Sequence, residues 1–166
     1  LAEARSNSAG ASTSTVFYTF GGTKVVGTPN TPTNKIDEYT IGSDTNSSTH
    51  TLTTAIQGPC CVNNGTYAVV AGGTTSTVGT TATQKYTFSS GVTTAGTALG
   101  TARVRSSGVS PPAFGLICGG IDALGGAAYY AVTDMYTFAS EAVTAGGSLF
   151  RAEANAAATS TIQGAY

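Results

Sequence analysis

Lys85-Tyr86-Thr87-Phe88 is the stretch that decides the fold, because it returns as Met135-Tyr136-Thr137-Phe138 and as Glu38-Tyr39-Thr40-Ile41. From each of these tyrosines, Tyr39, Tyr86 and Tyr136, the next leucine lies thirteen residues on: Leu52, Leu99 and Leu149. With Leu1, those leucines each open a unit that has Ala three positions later, at Ala4, Ala55, Ala102 and Ala152. Twenty residues after the first three leucines stands a Gly pair: Gly21-Gly22, Gly72-Gly73 and Gly119-Gly120. The distances from Gly pair to Tyr are 18, 14 and 17 residues, so insertions are confined to that interval. Two fixed intervals around one variable loop mark a structural repeat rather than a chance recurrence of small residues.

Each unit reads as four short strands. Residues 53–62, 100–109 and their equivalents are small and mixed, as suits an inner strand. The runs Val16–Phe20, Tyr67–Ala71 and Phe114–Cys118 lead into the Gly pairs, and such apolar runs predict strands buried on both faces. The Tyr-Thr-aromatic motifs alternate inward and outward, as strands with one wet face do. A weaker fourth strand is predicted over about Ala95–Leu99 and its counterparts. Four strands in roughly 50 residues, stacked radially, make a propeller blade. Glycine is required where φ is positive or where neighbouring chain leaves no room for a Cβ, and both conditions are expected at the Gly pairs.

The composition agrees with an all-β chain. Of 166 residues, 30 are Thr, 25 Ala, 22 Gly and 16 Ser, while charged residues are 9%, against about 25% in ordinary globular proteins. Thr suits pleated surfaces, and Gly, Ser and Asn supply turns. A net charge of −1 argues against charge-driven disorder. Seven Lys and Arg, spread along the chain, make no basic patch for nucleic acid. No run of apolar residues is long enough for a membrane span, and no signal-peptide pattern follows Leu1. A start at Leu rather than Met leads us to expect processing or a longer parent chain.

At Thr101-Ala102-Arg103, Ile117-Cys118-Gly119-Gly120 and Asp134-Met135-Tyr136-Thr137 the sequence resembles kelch-type β-propeller repeats. It departs from that pattern in having no Trp, with Val92 and Val143 near where one would fall. Tyr-Thr-Phe followed by Ser89-Ser90-Gly91-Val92-Thr93-Thr94-Ala95-Gly96 is similar to repeats in virion proteins of tailed bacteriophages. The resemblance implies an all-β fold of about three four-stranded antiparallel blades plus the start of a fourth. The blades would span residues 1–51, 52–98 and 99–148, with 149–166 a partial fourth blade or ring-closing strands. A propeller closes with 4–8 blades, so a larger or oligomeric propeller is expected. By the repeat's own spacing, the next Gly pair falls three residues past Tyr166.

No constellation for catalysis, cofactor or metal emerges. His50 is the only histidine, in a polar stretch read as an exposed loop, and one His builds no zinc or copper site. Cys60 and Cys61 are adjacent, which disfavours their pairing with each other. Cys118 reads as a small buried hydrophobe, with a bridge to Cys60 or Cys61 as the alternative. Asp37 and Asp134 stand two residues before repeat tyrosines, and Gln84 fills that place in the middle unit. Capping of loop amides explains these carboxylates more cheaply than a general acid–base pair. Tyr39, Tyr86 and Tyr136 are expected to pack between blades. Tyr129-Tyr130, in the variable loop, is the candidate binding pair, since exposed aromatics stack on sugars or fill a partner's pocket.

These readings lead us to expect a non-enzymatic structural or binding module of a virion or another extracellular assembly. Its partners would be other virion or assembly proteins. The alternative is an oligomeric propeller lectin that binds cell-surface glycans between blades.

Overall fold

The computed structural model describes residues 3–24, 31–126 and 128–158. Leu1 and the stretch 159–166 of the opening fourth unit lie outside them. Among the described residues there is no helix, and all strand pairing is antiparallel. The first sheet contains β1 (Arg5–Ser6), β2 (Ala9–Ser12), β3 (Val16–Phe20), β4 (Thr23–Lys24), β5 (Thr31–Thr40) and β6 (Thr45–Ile56). The second contains β7 (Cys60–Asn63), β8 (Tyr67–Ala71), β9 (Thr83–Thr87) and β10 (Val92–Ala95). The third contains β11 (Ser107–Val109), β12 (Phe114–Cys118), β13 (Thr133–Thr137) and β14 (Ala142–Ala145). Each sheet holds a four-stranded meander in chain order, β2-β3-β5-β6, β7-β8-β9-β10 and β11-β12-β13-β14.

One register serves all three sheets. Phe17 faces Tyr39, Ala68 faces Tyr86, and Gly115 faces Tyr136 across the second and third strands. Directly opposed residues share a face of the sheet, so this register assigns every side chain to one of two faces. Tyr18, Phe20 and Ile36 of the first sheet pack against Ala68, Val70 and Tyr86 of the second. The other face of the second sheet, with Val62, Tyr67 and Val69, packs against Ile117, Tyr136 and Phe138 at the third. The sheets therefore stack in one direction, always the same face type onto its complement. That order leaves Phe17 and Tyr39 on an outer face of the first sheet, and Leu116 and Met135 on an outer face of the third.

Three strand expectations change in the structure. All five residues of β8 are buried, whereas β3 and β12 alternate, because among the described residues only the second sheet has a sheet on both sides. The fourth strands start earlier than expected, at Val92 and Ala142. A tight turn leads into them, with Gly91 at φ +67°, Glu141 at +54° and Asp44 at +51° in the equivalent place. The inner strands are short, and residues 53–56 continue β6 of the first sheet instead of opening the second. β6 thus runs across the 51/52 boundary, while the second and third sheets lie within 52–98 and 99–148.

The Gly pairs sit where consecutive units join. All six glycines have positive φ, from +60° to +106°. A Cβ on Gly21, Gly72 or Gly119 would stand 2.6, 2.6 or 2.5 Å from the carbonyl oxygen of Ile56, Arg103 or Glu153, closer than any real Cβ approaches. Those same three oxygens accept the N–H groups of Gly22, Gly73 and Gly120 at 2.7, 2.8 and 2.6 Å. Each acceptor is the fifth residue of the following unit. A second ladder runs beside it, in which Gly58, Arg105 and Asn155 donate to the carbonyls of Asn7, Gly58 and Arg105 at 2.9, 2.8 and 3.0 Å. All four of its members are left-handed, at φ +54°, +63°, +57° and +55°. The stretch that follows Leu149 thereby takes the same place beside the third unit as each earlier unit takes beside its predecessor.

Candidate functional site

Four repeat-equivalent residues, Gly10, Cys61, Gly108 and Ala158, line one open cleft of about 340 Å³. Two residues further along each of the first three units stand Ser12, Asn63 and Ser110, which line it too. These are positions of β2 and β7 and the end of β11, so the three inner strands converge on the cleft together with the opening of the fourth unit. Small residues hold this spacing: a Cβ on Gly108 would run into the Cys61 carbonyl. The backbone N–H of Asn63 donates to Ser110 Oγ at 2.9 Å, tying the second inner strand to the third. The side-chain oxygen of Asn63 accepts the N–H of Gly65 at 3.2 Å, which leaves its amide NH₂ for other partners. The Phe17 ring, 43% exposed, completes one wall.

Two ionic clusters lie in the sheets instead of in this cleft. Arg5 Nη2 pairs with Asp37, and Arg103 Nη2 pairs with Asp134 Oδ2 at 2.5 Å; all four side chains are no more than 8% exposed. Arg103 also donates to the carbonyls of Ile117 and Val132, and Arg5 to those of Gly21 and Lys35. Asp37 and Asp134 are thus partners of buried arginines, and only Asp134 caps an amide besides, that of Gly100 at 3.2 Å. Amide capping therefore holds for Asp134 alongside its ion pair, whereas Asp37 is taken up by Arg5, because the fifth residues of these two units reach the third strand. In the middle unit the same places hold Ile56 and Gln84, and Gln84 accepts from Thr53 Oγ1 and the Thr54 N–H.

His50 is not in a loop. It lies on β6, where its Nδ1 is 2.6 Å from Glu38 Oε1, and Tyr86 donates to that same oxygen at 2.7 Å. The His50 ring occupies the space that a side chain on Gly91 would need. The polar run from Asn46 to Thr51 hid this strand, because its apolar partners sit on other strands. Burial first, and then the hydrogen bond to Glu38, push the Tyr86 phenol far above its ordinary value. Burial, aided by Tyr67, does the same to Tyr136. Both are fully buried between sheets. Tyr39 differs: it is half-buried on the outer face of the first sheet, with its hydroxyl donating to Asp44 at 2.8 Å. Among the described residues no further sheet lies against that face.

Tyr129 is 58% exposed, in a bridge opposite Ile121, and the Tyr130 N–H donates to the Gly120 carbonyl. Neither tyrosine lines the cleft. Cys60, Cys61 and Cys118 are free thiols. Burial pushes the Cys60 thiol up to about 11 and that of Cys61 well above its ordinary range, so both stay protonated near neutrality. Among the described residues no group of three His, Cys, Asp or Glu side chains converges on a metal position. No helix is long and apolar enough to cross a membrane.

No protein-family model matches this chain, and no curated protein matches it significantly.

Proposed function

We propose that this chain is a non-enzymatic structural and binding module of an extracellular assembly, built of kelch-like propeller blades. The assembly in view is a phage virion, with the chain in its tail, in a fibre or on its capsid. One observation carries this reading. The hydrogen bond from the second Gly of a pair to the fifth residue of the next unit recurs three times, around a cleft lined by equivalent residues of four units. Radial stacking of blades produces that pattern. The titratable groups support a structural role: the two Arg–Asp pairs and the Glu38–His50–Tyr86 cluster all hold strands or sheets together. The hydroxyl-rich, charge-poor surface and the Tyr-Thr-Phe repeat variant favour the virion.

The test is to purify particles from the source and search them by mass spectrometry for peptides of this chain. Presence in the particle, with its sheets arranged around an axis in the particle map, is expected. A soluble monomer absent from particles overturns the proposal. A lectin is the second reading, favoured by the exposed Tyr129 ring; a glycan array with no binder removes it.

A further inference from the structure

We propose that the axial cleft is a binding site for a neutral saccharide, with Phe17 as stacking platform and Asn63 and Ser110 as hydrogen-bonding groups. The inference rests on the part of the reading above in which the units share one axis, and it deepens the glycan reading by moving the site away from Tyr129. Its starting point is a residue that breaks the repeat. At the place of Phe17 the other units carry Ala68 and Gly115, and at Gly115 a side chain would collide with Val62. Small residues are what sheet packing demands there. Among the described residues no sheet covers Phe17, and a large apolar ring left 43% in water contributes little to the core. Gly10 makes room for the ring, since a Cβ there would stand only 3.3 Å from it.

The lining around Phe17 narrows the ligand class. Among the cleft's described lining residues none is charged, so nothing there matches a phosphate, a carboxylate or an amine. The Asn63 amide offers donors, and Ser110, whose oxygen already accepts from the Asn63 N–H, has its hydroxyl proton to give. An aromatic face beside a fixed amide and hydroxyls fits a ligand with one C–H face and a rim of hydroxyl groups. At about 340 Å³ the cleft falls at the small end of ligand sites, which span about 300–1,000 Å³. A sugar of one or two rings meets these conditions.

The probes are glucose, galactose, mannose and N-acetylglucosamine, titrated into the 166-residue chain and followed by NMR, with glucuronate and inorganic phosphate as charged controls. At least one neutral sugar is expected to shift the Asn63 side-chain amide and the Phe17 ring signals, while the charged controls do not. Phe17→Ala and Asn63→Ala should each weaken binding by ~10-fold. Both positions are at the surface, and an unchanged melting curve verifies that the variants fold. Shifts centred on Tyr129, equal binding of phosphate, unaltered affinity in both variants, or no shift with any of the four sugars each overturn the site. These results separate from the particle test. Sugar binding without particle association overturns the virion reading alone, and the reverse overturns the cleft alone.

Discussion

The seam between the first and second sheets and the seam between the second and third share one backbone template and differ in chemistry. Both place a tyrosine opposite a small residue across the second and third strands, Tyr86 opposite Ala68 and Tyr136 opposite Gly115. Both are joined by a Gly pair to the fifth residue of the next unit. At that fifth place the first seam has Ile56 and the second has Arg103, paired with Asp134 where the middle unit has Gln84. At the rim, the first seam is tied by Glu38, His50 and Tyr86. The second is tied by Lys85 with Glu141, and by Tyr67 donating to the Phe138 carbonyl at 2.7 Å. The difference teaches that backbone spacing is what the repeat requires, while the polar fastening is interchangeable.

The sharpest way to break the comparison is to transplant one seam's chemistry into the other. Arg103→Ile alone leaves Asp134 buried and unpaired, and should destabilise the chain by about 3–5 kcal/mol in denaturant unfolding. Adding Asp134→Gln, which copies the middle unit, should recover more than half of that loss. No recovery would mean that the two seams are not interchangeable. Next in size is Gly72→Ala, which puts a Cβ against the Arg103 carbonyl at a left-handed residue. The expected cost is at least ~2 kcal/mol, against almost none for Gly42→Ala, where nothing lies within 4 Å.

Tyr86→Phe and Tyr136→Phe compare the two seams through their phenols. Tyr86→Phe removes a hydrogen bond to a carboxylate and should cost about 1.5 kcal/mol near neutral pH. Both phenols have raised pKa values in the folded chain. As pH rises past about 10, the unfolded chain releases protons that the folded chain keeps, so stability falls on the alkaline side. Each Phe substitution should make that fall shallower by up to ~1.4 kcal/mol per pH unit, read from melting curves between pH 9 and 12. Smallest is Glu141→Gly. It relieves a left-handed φ and loses the half-exposed pair with Lys85, two effects of about 1 kcal/mol or less and opposite sign. A net change within about 0.5 kcal/mol is expected.

Much of this architecture is legible in the residues because repetition averages out the weak signal of any one strand. The second strands begin and end where the apolar runs do, and the Gly pairs mark backbone that no side chain tolerates. The left-handed ladder at Asn7, Gly58, Arg105 and Asn155 is faint in the residues because only one of its four members is glycine. Its signal was an Asn recurring at the seventh place of the first and fourth units. Tyr39 carries the same motif as Tyr86 in different surroundings, since a motif records its strand but not the neighbour of that strand. The candidate cleft was still less visible, since Ser12, Asn63 and Ser110 are ordinary residues for a chain of Ser, Thr and Gly.

Local order and composition set the period, the strand content, the place of the insertions and the even spread of charge. The tertiary structure decided which face of each sheet is covered. It also decided that Asp37 and Asp134 meet arginines 32 and 31 residues away, and that His50 closes a seam. Those outcomes depend on what lies across an interface, where burial and pairing act between residues that share no local pattern.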